Sequence, residues 1–362
     1  MVELLLVIKD VVDNEVVSVL LANADKTEQQ ARPAAESLAA IRRAGALALR
    51  TPVSHGGGWA DAENIARRLT ELGRACPATA WVAGTCMTAK NIVAANFGKT
   101  VLDRAFADPD ALGCGSGRPG GRGEPGADGV RVSGRWPNVS GCEDADWAAL
   151  GLMVDGVFSW VFFPITDLTI DRDWRMAGMR GTGSHTLVAE DLVVPADQVA
   201  PSAPFTPNDL LLYGISVLGP VLGAARGALG VTDATFASNR KPFMTAYARM
   251  GDSPGARHWL AEAAHLVERA ERTMLAVAQA ANPASDIAPR TAQLHMDLAD
   301  SARDCRSAVD MLLDLHGASG FNTANPVQRY WRDIAVGSRH PHLNPYLALE
   351  RLGLALVPAT EN

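Results

Sequence analysis

The side chains of this sequence that could move protons are concentrated near its C-terminus, in residues 331–344. Arg332, Asp333, Arg339 and His340 stand there among apolar neighbours, followed by a second histidine, His342. Burying such groups unpaired is costly, so they must be paired inside the protein or take part in its function. A histidine ordinarily titrates near neutral pH and can both give and take a proton. The segment therefore predicts acid–base chemistry centred on His340.

The same segment is predicted to start a long helix that continues past Pro341, with Pro326 at a helix start. Residues two apart on a helix point in different directions, so His342 would face away from His340. His342 is therefore the weaker candidate of the two histidines.

Other kinds of catalytic pattern are missing from the sequence. No group of His, Cys and carboxylate residues has the spacing of metal ligands, so no metal is expected. No Gly-x-Ser-x-Gly nucleophile elbow is present. The glycine-dense residues 113–123 lack the context of a phosphate-binding loop and are predicted to form a flexible surface loop. Cysteines number five, without a Cys-x-x-Cys pair, which favours reduced thiols over disulfides.

Composition narrows the class of protein. The chain has 362 residues, of which 48% are hydrophobic and 20% charged, as in ordinary globular proteins. A net charge of −7 argues against nucleic acid as a partner, because phosphate binding needs a basic face. The apolar residues 1–12 are too short to span a bilayer and lack the features of a signal peptide. We therefore expect a cytoplasmic protein that binds neither nucleic acid nor a membrane.

Hydrophobic periodicity divides the chain into three regions, with predicted limits of 1–110, 111–204 and 205–362. The first has helical spacing and includes a nearly all-apolar, buried helix over 78–97. In the second, apolar and polar residues alternate and Asp128-Gly129 marks a hairpin turn, which predicts a small antiparallel β-domain. The third begins with a long apolar helix over 210–238, with a kink expected at Pro220, followed by amphipathic helices. The fold class is therefore mainly α with a central antiparallel β-domain.

This order of regions, with four local motifs, resembles the acyl-CoA dehydrogenase fold. The resemblance is closest to the oxygenase components of two-component flavin-dependent monooxygenases built on that fold. The motifs occupy residues 78–82, 133–141, 178–184 and 328–333, the last followed by His340, and the resemblance spans residues 25–357. It implies an N-terminal helical domain, a β-barrel-like middle domain and a C-terminal four-helix bundle, assembled as a homotetramer.

The motif at 133–141 is implied to contact the flavin ring. In the family, a Ser or Thr at the place of Ser140 donates a hydrogen bond to the N5 region of the isoalloxazine. Asn138 stands where the family carries an aromatic residue. Its amide could bond to flavin or substrate, or it could serve as a turn residue.

Two further places are implied to bind the cofactor. A glycine-rich segment could bind the flavin through backbone amides and hydroxyls, or form a tight loop; its candidates are Arg180, Gly181, Thr182 and Ser184. Arg240 stands near where dehydrogenases of the family place an arginine on the pyrophosphate of a neighbouring subunit's FAD. It could equally be a solvated charge at a helix end.

His340 separates two reaction classes within the resemblance. A dehydrogenase of this fold needs a carboxylate base. Its two places in the family fall at Pro341 and around residues 211–213, neither of which supplies one, and Asp209 is predicted to precede the helix. The oxygenase subgroup instead carries a histidine beside the flavin C4a position. The resemblance therefore implies that His340 manages the proton when reduced flavin reacts with O2.

The function implied is that of an oxygenase component. A separate NAD(P)H:flavin reductase would supply FMNH2 or FADH2, and a C4a-hydroperoxide would hydroxylate a small aromatic or polycyclic substrate, with N-hydroxylation as a close variant. Trp81, His55 and Tyr213 could line the substrate pocket or simply pack in the protein. Two alternatives stay open: an acyl-CoA or acyl-carrier dehydrogenase that uses FAD and an unrecognised base, and a non-catalytic flavin-binding member.

Overall fold

A computed structural model describes residues 12–282 and 287–357 of the chain. The apolar start of the sequence, for which we expect no membrane span, lies outside the described residues up to position 11. In the described part, a mixed sheet follows an N-terminal set of helices and precedes a C-terminal helical bundle along the chain, and helices α4 and α5 of the first set pack directly on the bundle. The predicted fold class is confirmed.

The N-terminal helices are short, except for two that pack on the bundle. They are α1 (Asn14–Ala22), α2 (Ala24–Gln30), α3 (Ala35–Arg43), α4 (Ala62–Ala75), α5 (Pro77–Asn96) and α6 (Lys99–Ala105). The side chain of Asp61 accepts a hydrogen bond from the backbone of Asn64 and so begins α4. Helix α5 is buried over most of its length, as the apolar sequence predicts.

The sheet contains seven described strands in the order β5-β6-β2-β1-β3-β4-β7. They are β1 (Gly113–Gly126), β2 (Gly129–Val139), β3 (Trp147–Val154), β4 (Val157–Pro164), β5 (Thr169–Asp171), β6 (His185–Val194) and β7 (Val199–Pro201). All pairs are antiparallel except β1 and β3, which run parallel. The prediction of a wholly antiparallel domain is therefore wrong for this pair. After the β1–β2 hairpin, the chain crosses to the free side of β1 before it starts β3.

The glycine-dense residues 113–123 form strand β1, so the prediction of a flexible surface loop is wrong. The reason is the indole of Trp136, which is fully buried and lies across β1. A Cβ atom at Gly121 or at Gly134 would come within 2.6 Å of this ring. Glycine is thus required to make room for an aromatic side chain in a regular strand.

The C-terminal bundle is formed by α7 (Pro207–Ala237), α8 (Pro254–Ala280), α9 (Thr291–His316), α10 (Pro326–Gly337) and α11 (Pro345–Leu356). The prediction that Asp209 precedes the helix is wrong, because Thr206 and Asp209 form a capping box in which Asp209 lies in the first turn of α7. The helix continues through Pro220. Among the described helices, α7 alone is long and apolar enough to cross a membrane, and 89% of its most apolar stretch is buried inside the protein.

The predicted continuous helix across residues 331–344 is wrong. Helix α10 ends at Gly337, and the next helix begins only at Pro345. Between them the backbone N–H of His340 donates to Gly337 O at 3.0 Å, and that of Leu343 donates to His340 O at 2.8 Å. Pro341 explains the break, because it has no N–H to donate and disfavours helical backbone at the preceding residue.

Two glycines of α7 give a matched test of how closely the bundle is packed. A Cβ at Gly223 would lie 2.3 Å from the backbone oxygen of Thr70 on α4, whereas a Cβ at Gly230 meets nothing within 4 Å. We expect Gly223→Ala to lower the free energy of unfolding by about 1–3 kcal/mol through overpacking. Gly230→Ala should raise it by roughly 0.5–1 kcal/mol, because alanine favours the helix. Denaturant unfolding measures both, and equal effects would contradict the packing.

Candidate functional site

The polar residues of α10 are paired, and the pairs fasten two other parts of the chain to this helix. Arg329 forms an ion pair with Asp25 of α2. Arg332 lies 2.6 Å from Glu28 of α2 and donates to the backbone oxygen of Ala177 at 2.5 Å. The density of charge that marks this segment in the sequence is therefore largely structural.

Asp333 holds the loop that precedes β6. Its Oδ1 accepts a hydrogen bond of 2.5 Å from the backbone N–H of Met179, which has a left-handed φ of 52°. Burial raises the pKa of this carboxyl to about 7. A Cβ at Gly178 would lie 2.0 Å from the backbone oxygen of Arg332, so the loop touches α10 directly.

Four side chains form a continuous hydrogen-bonded group beside that loop. Trp81 Nε1 on α5 donates to Ser140 Oγ at 3.2 Å. Ser140 Oγ is 2.8 Å from Ser184 Oγ, which is 2.6 Å from Thr182 Oγ1. Thr182 Oγ1 donates to the backbone oxygen of Met179 at 2.8 Å. Residues predicted in three separate motifs are thus brought together here.

His340 lies on the other side of Trp81. The two rings are edge to face with centroids 5.5 Å apart. His342 stacks on His340 at 5.4 Å and meets the ring of Tyr213 on α7 at 6.3 Å. The prediction that His342 points elsewhere is wrong, because both histidines lie in the turn after α10 and not on a helix.

Burial keeps both imidazoles neutral. It lowers the pKa of His340 to about 4. Burial and the neighbouring His340 lower the pKa of His342 to about 3. Nδ1 of His340 accepts from the backbone N–H of His342 at 3.4 Å, and its Nε2 forms no hydrogen bond within the described residues. A neutral imidazole carries one hydrogen, so Nε2 is a donor while Nδ1 accepts from His342. The other tautomer, with the hydrogen on Nδ1, gives up this long contact and leaves Nε2 able to accept a proton at neutral pH.

Other predicted site residues lie in different surroundings. Asn138 is exposed, at a bulge of β2 with a left-handed φ of 63°, which asparagine tolerates better than most residues. Arg180 is exposed beside the loop, while Gly181 is buried with its Cα against Thr27 of α2. His55 bonds to Asp103 at 3.3 Å and packs on Phe106. The described contacts of His55 do not join it to Trp81 or His340.

Arg240 lies at a separate cavity in the bundle. It donates to the backbone oxygen of His316 at 2.7 Å and to Ser319 Oγ at 2.8 Å. The cavity has a volume of about 490 Å³, and Lys241 and Trp259 also line it. Its described contacts keep Arg240 away from the Trp81 group within one chain.

The sequence did not predict a polar cluster that lies behind Tyr213. Asn91 Nδ2 donates to Tyr213 Oη at 3.0 Å and to Asp209 Oδ1 at 3.2 Å. Arg50 in turn donates to Asn91 Oδ1. The signal was present, since the pair Lys90-Asn91 interrupts an otherwise apolar helix. The cluster fixes the orientation of Tyr213 beside His342.

The polar groups of this site fit a flavin and do not fit a thioester dehydrogenase. The indole of Trp81 contacts both Ser140 Oγ and the ring of His340, and the exposed Arg180 belongs to the same loop as Thr182. Asp209 is engaged by Thr206 and Asn91, and Asp333 lies beneath Met179. In the described part of the chain, no carboxylate contacts the Trp81–His340 pair.

Comparison with known proteins agrees with this geometry. Residues 215–345 match the family described as acyl-CoA dehydrogenase, C-terminal domain. A solved structure, XiaF from Streptomyces sp. in complex with FADH2 and glycerol, superposes with a TM-score of 0.89 at 26% identity, covering 96% of this chain and 94% of that one. The fold is thus that of an acyl-CoA dehydrogenase.

Two curated relatives define the group within that fold. The oxygenase component of the FADH(2)-dependent resorcinol hydroxylase from Rhizobium sp. (strain MTP-10005) is 31% identical, over 89% of this chain and 87% of the relative. The flavin-dependent monooxygenase oxygenase subunit HsaA from Rhodococcus jostii (strain RHA1) is 28% identical, over 92% and 94%. The chain belongs to the oxygenase components of two-component flavin-dependent monooxygenases. It is an oxidoreductase that uses reduced flavin and O2, and it depends on a separate flavin reductase.

The buried Asp333 gives a test by pH. Because its pKa is raised in the fold, its contribution to stability is fully present below the unfolded value of about 4 and is lost as pH rises to about 7. Asp333→Asn keeps an oxygen for Met179 N–H and removes this titration. The free energy of unfolding of D333N minus that of wild type should therefore rise between pH 4 and 7, by up to about 1.4 kcal/mol per pH unit, and then level off. A difference that stays constant with pH would contradict the raised pKa.

Proposed function

We propose that the chain hydroxylates a small phenolic aromatic compound, with His340 as the proton acceptor. The observation that carries this proposal is the neutral imidazole of His340, held between Trp81 and His342 one side chain away from Ser140. An aromatic substrate suits a wall made of rings. A phenol loses its proton to a neutral imidazole and so becomes the better nucleophile toward activated oxygen. The resorcinol relative supports this substrate class.

The roles of the other residues follow from their positions. When bound, reduced flavin supplies the electrons and the site of O2 activation. Ser140 would orient its N5 edge, with Arg180 and Asn138 exposed beside it, and Trp81 would separate it from the bundle. Tyr213 would form the far wall of the substrate pocket. The apolar surroundings that lower the pKa of His340 would also exclude water.

A substitution at His340 tests the proton role. With reduced flavin, O2 and a phenol, we expect His340→Ala to lower the yield of hydroxylated product about 100-fold, while flavin oxidation continues and releases H2O2. The methyl ether of the same phenol should give no product with wild-type protein, since it has no proton to lose. In wild type the product yield should be constant from about pH 6 to 8, because His340 titrates at about 4.

The control for this experiment is His258→Ala, which removes an exposed histidine of α8. Product and H2O2 are measured separately, by chromatography and a peroxide assay. Full product yield from H340A would remove His340 from the mechanism, and equal turnover of the methyl ether would remove the phenol requirement.

We further propose a cytoplasmic homotetramer that uses FADH2, with NAD(P)H as the electron source of its reductase. All five cysteines are free and buried, which supports a reducing compartment. Exposed large apolar side chains cluster around Phe243 in the segment before α8 and around Leu349 on α11, which supports association of subunits. In such an assembly the basic cavity of Arg240 would take the pyrophosphate of a neighbouring subunit's FAD.

Flavin preference tests this assignment. Arg240→Met should weaken binding of FADH2 by about 10-fold or more, because an arginine–phosphate pair is lost, and should leave FMNH2 binding unchanged. Arg257→Met, at the exposed start of α8, serves as the matched loss of charge. Anaerobic titration gives the affinities, and light scattering gives the mass of the assembly. Equal losses for both flavins would exclude a pyrophosphate contact.

A further inference from the structure

The number of available hydrogens fixes which oxygen donates and which accepts in each hydrogen bond among the hydroxyls of Ser140, Ser184 and Thr182. Three hydroxyl hydrogens, from Ser140, Ser184 and Thr182, serve three short oxygen–oxygen contacts. The last contact, of 2.8 Å, is to the backbone oxygen of Met179, which can only accept. Thr182 must therefore donate its hydrogen to Met179.

The remaining assignments follow one after another. With its own hydrogen used, Thr182 can only accept from Ser184, at 2.6 Å. With that hydrogen used, Ser184 can only accept from Ser140, at 2.8 Å. Ser140 also accepts from the indole N–H of Trp81, which is only a donor. Any other arrangement leaves two oxygens in contact without a hydrogen between them.

The frame around these hydroxyls holds them in place. Thr182 is fully buried and Ser184 is 4% exposed, so water does not compete for their hydrogen bonds. The backbone N–H of Gly141 donates to Thr182 O at 2.8 Å and ties the segment of Ser140 to that of Thr182. The Met179 oxygen also accepts from Trp174 Nε1 at 2.9 Å, while its N–H is held by Asp333. The terminal acceptor is thus fixed on both sides.

We propose that Thr182 and Ser184 form a relay that makes Ser140 a hydrogen-bond acceptor toward the flavin, an inference that rests on the flavin site proposed above. The hydrogen of Ser140 points inward, and the one lone pair left on its oxygen points outward. This reverses the donor role that the family resemblance implies for Ser140. Thr182 and Ser184 are positioning residues, which act through Ser140 and do not touch the flavin.

The consequence is selectivity between two redox forms of one cofactor. Reduced flavin carries a hydrogen on N5, which Ser140 can accept, whereas oxidised flavin presents a lone pair there. Two lone pairs facing each other at hydrogen-bond distance repel, and neither is satisfied. The relay therefore favours the form that the reductase delivers and assists release of the oxidised form after turnover.

The test compares the affinities of oxidised and reduced flavin for folded protein. In Thr182→Val the relay loses its link to Met179, so Ser184 can donate to Ser140 and free the outer hydrogen. We expect the ratio of Kd for oxidised FAD to Kd for dithionite-reduced FAD to fall about fivefold to tenfold, as the change of one hydrogen bond implies. Ser184→Ala should lower the ratio equally, and the double variant should add nothing further, since both act on one relay.

Two controls separate this effect from loss of packing. Thr182→Ser keeps the hydroxyl and should keep the wild-type ratio. Thr70→Val removes a buried hydroxyl of α4 that bonds only to Ala66 O, and it too should leave the ratio unchanged. Circular dichroism verifies folding, and Ser184→Ala carries the test if Thr182→Val does not fold.

An unchanged ratio in folded T182V or S184A would overturn the proposal. A parallel loss of affinity for both flavin forms would also overturn it, because it would show that the hydroxyls only hold the loop. The relay is judged by a ratio of binding constants, and the proposed function by product formation. The two can therefore fail separately.

Discussion

The hydrogen bond from the backbone N–H of Met179 to the buried carboxyl of Asp333 is the contact on which the site depends. It joins the loop before β6 to a helix of the C-terminal bundle, more than a hundred residues further along the chain. Through Met179 the same loop positions the hydroxyls of Thr182, Ser184 and Ser140. Together with the contacts of Arg332 to Ala177 and Gly178, this hydrogen bond holds the sheet side of the site against the bundle side, where His340 lies.

The polar segment around α10 and the turn after it contains charged residues with a structural role, followed by two histidines of the proposed site. Before Gly337, the charges of α10 fasten α2 and the loop to the helix. After it, the break at Pro341 turns His340 and His342 toward Trp81 and Tyr213. The helix end is therefore the boundary between a structural part and a chemical part. A continuous helix could not have placed two histidines two positions apart in a stack.

The sequence predicted the order of the regions because periodicity and apolar runs depend on local residues. It also singled out Ser140 and His340 for a flavin site, and Trp81 for a substrate pocket or for packing, and the structure brings these three side chains together. It could not predict strand β1, because its glycines are explained by side chains on neighbouring strands, such as the indoles of Trp136 and Trp147. The turn at 338–344 could have been predicted from Pro341, which is a local helix-breaking signal, but the apolar pattern favoured a continuous helix. The hydroxyl relay depends on distances between three segments, which no spacing in the sequence expresses.

Desolvation acts on the groups on both sides of Trp81. On the bundle side it lowers the pKa of His340, which keeps the imidazole neutral and able to accept a proton. On the sheet side it keeps water from the hydroxyls, whose partners are one another, the Met179 oxygen and the Trp81 indole, and this fixes the direction of their hydrogens. As a result, His340 can accept a proton from a phenol on one side of the site, and Ser140 can accept a hydrogen bond from the flavin on the other. A more polar interior would give water access to both, and the imidazole and the hydroxyls would then lose their defined states together.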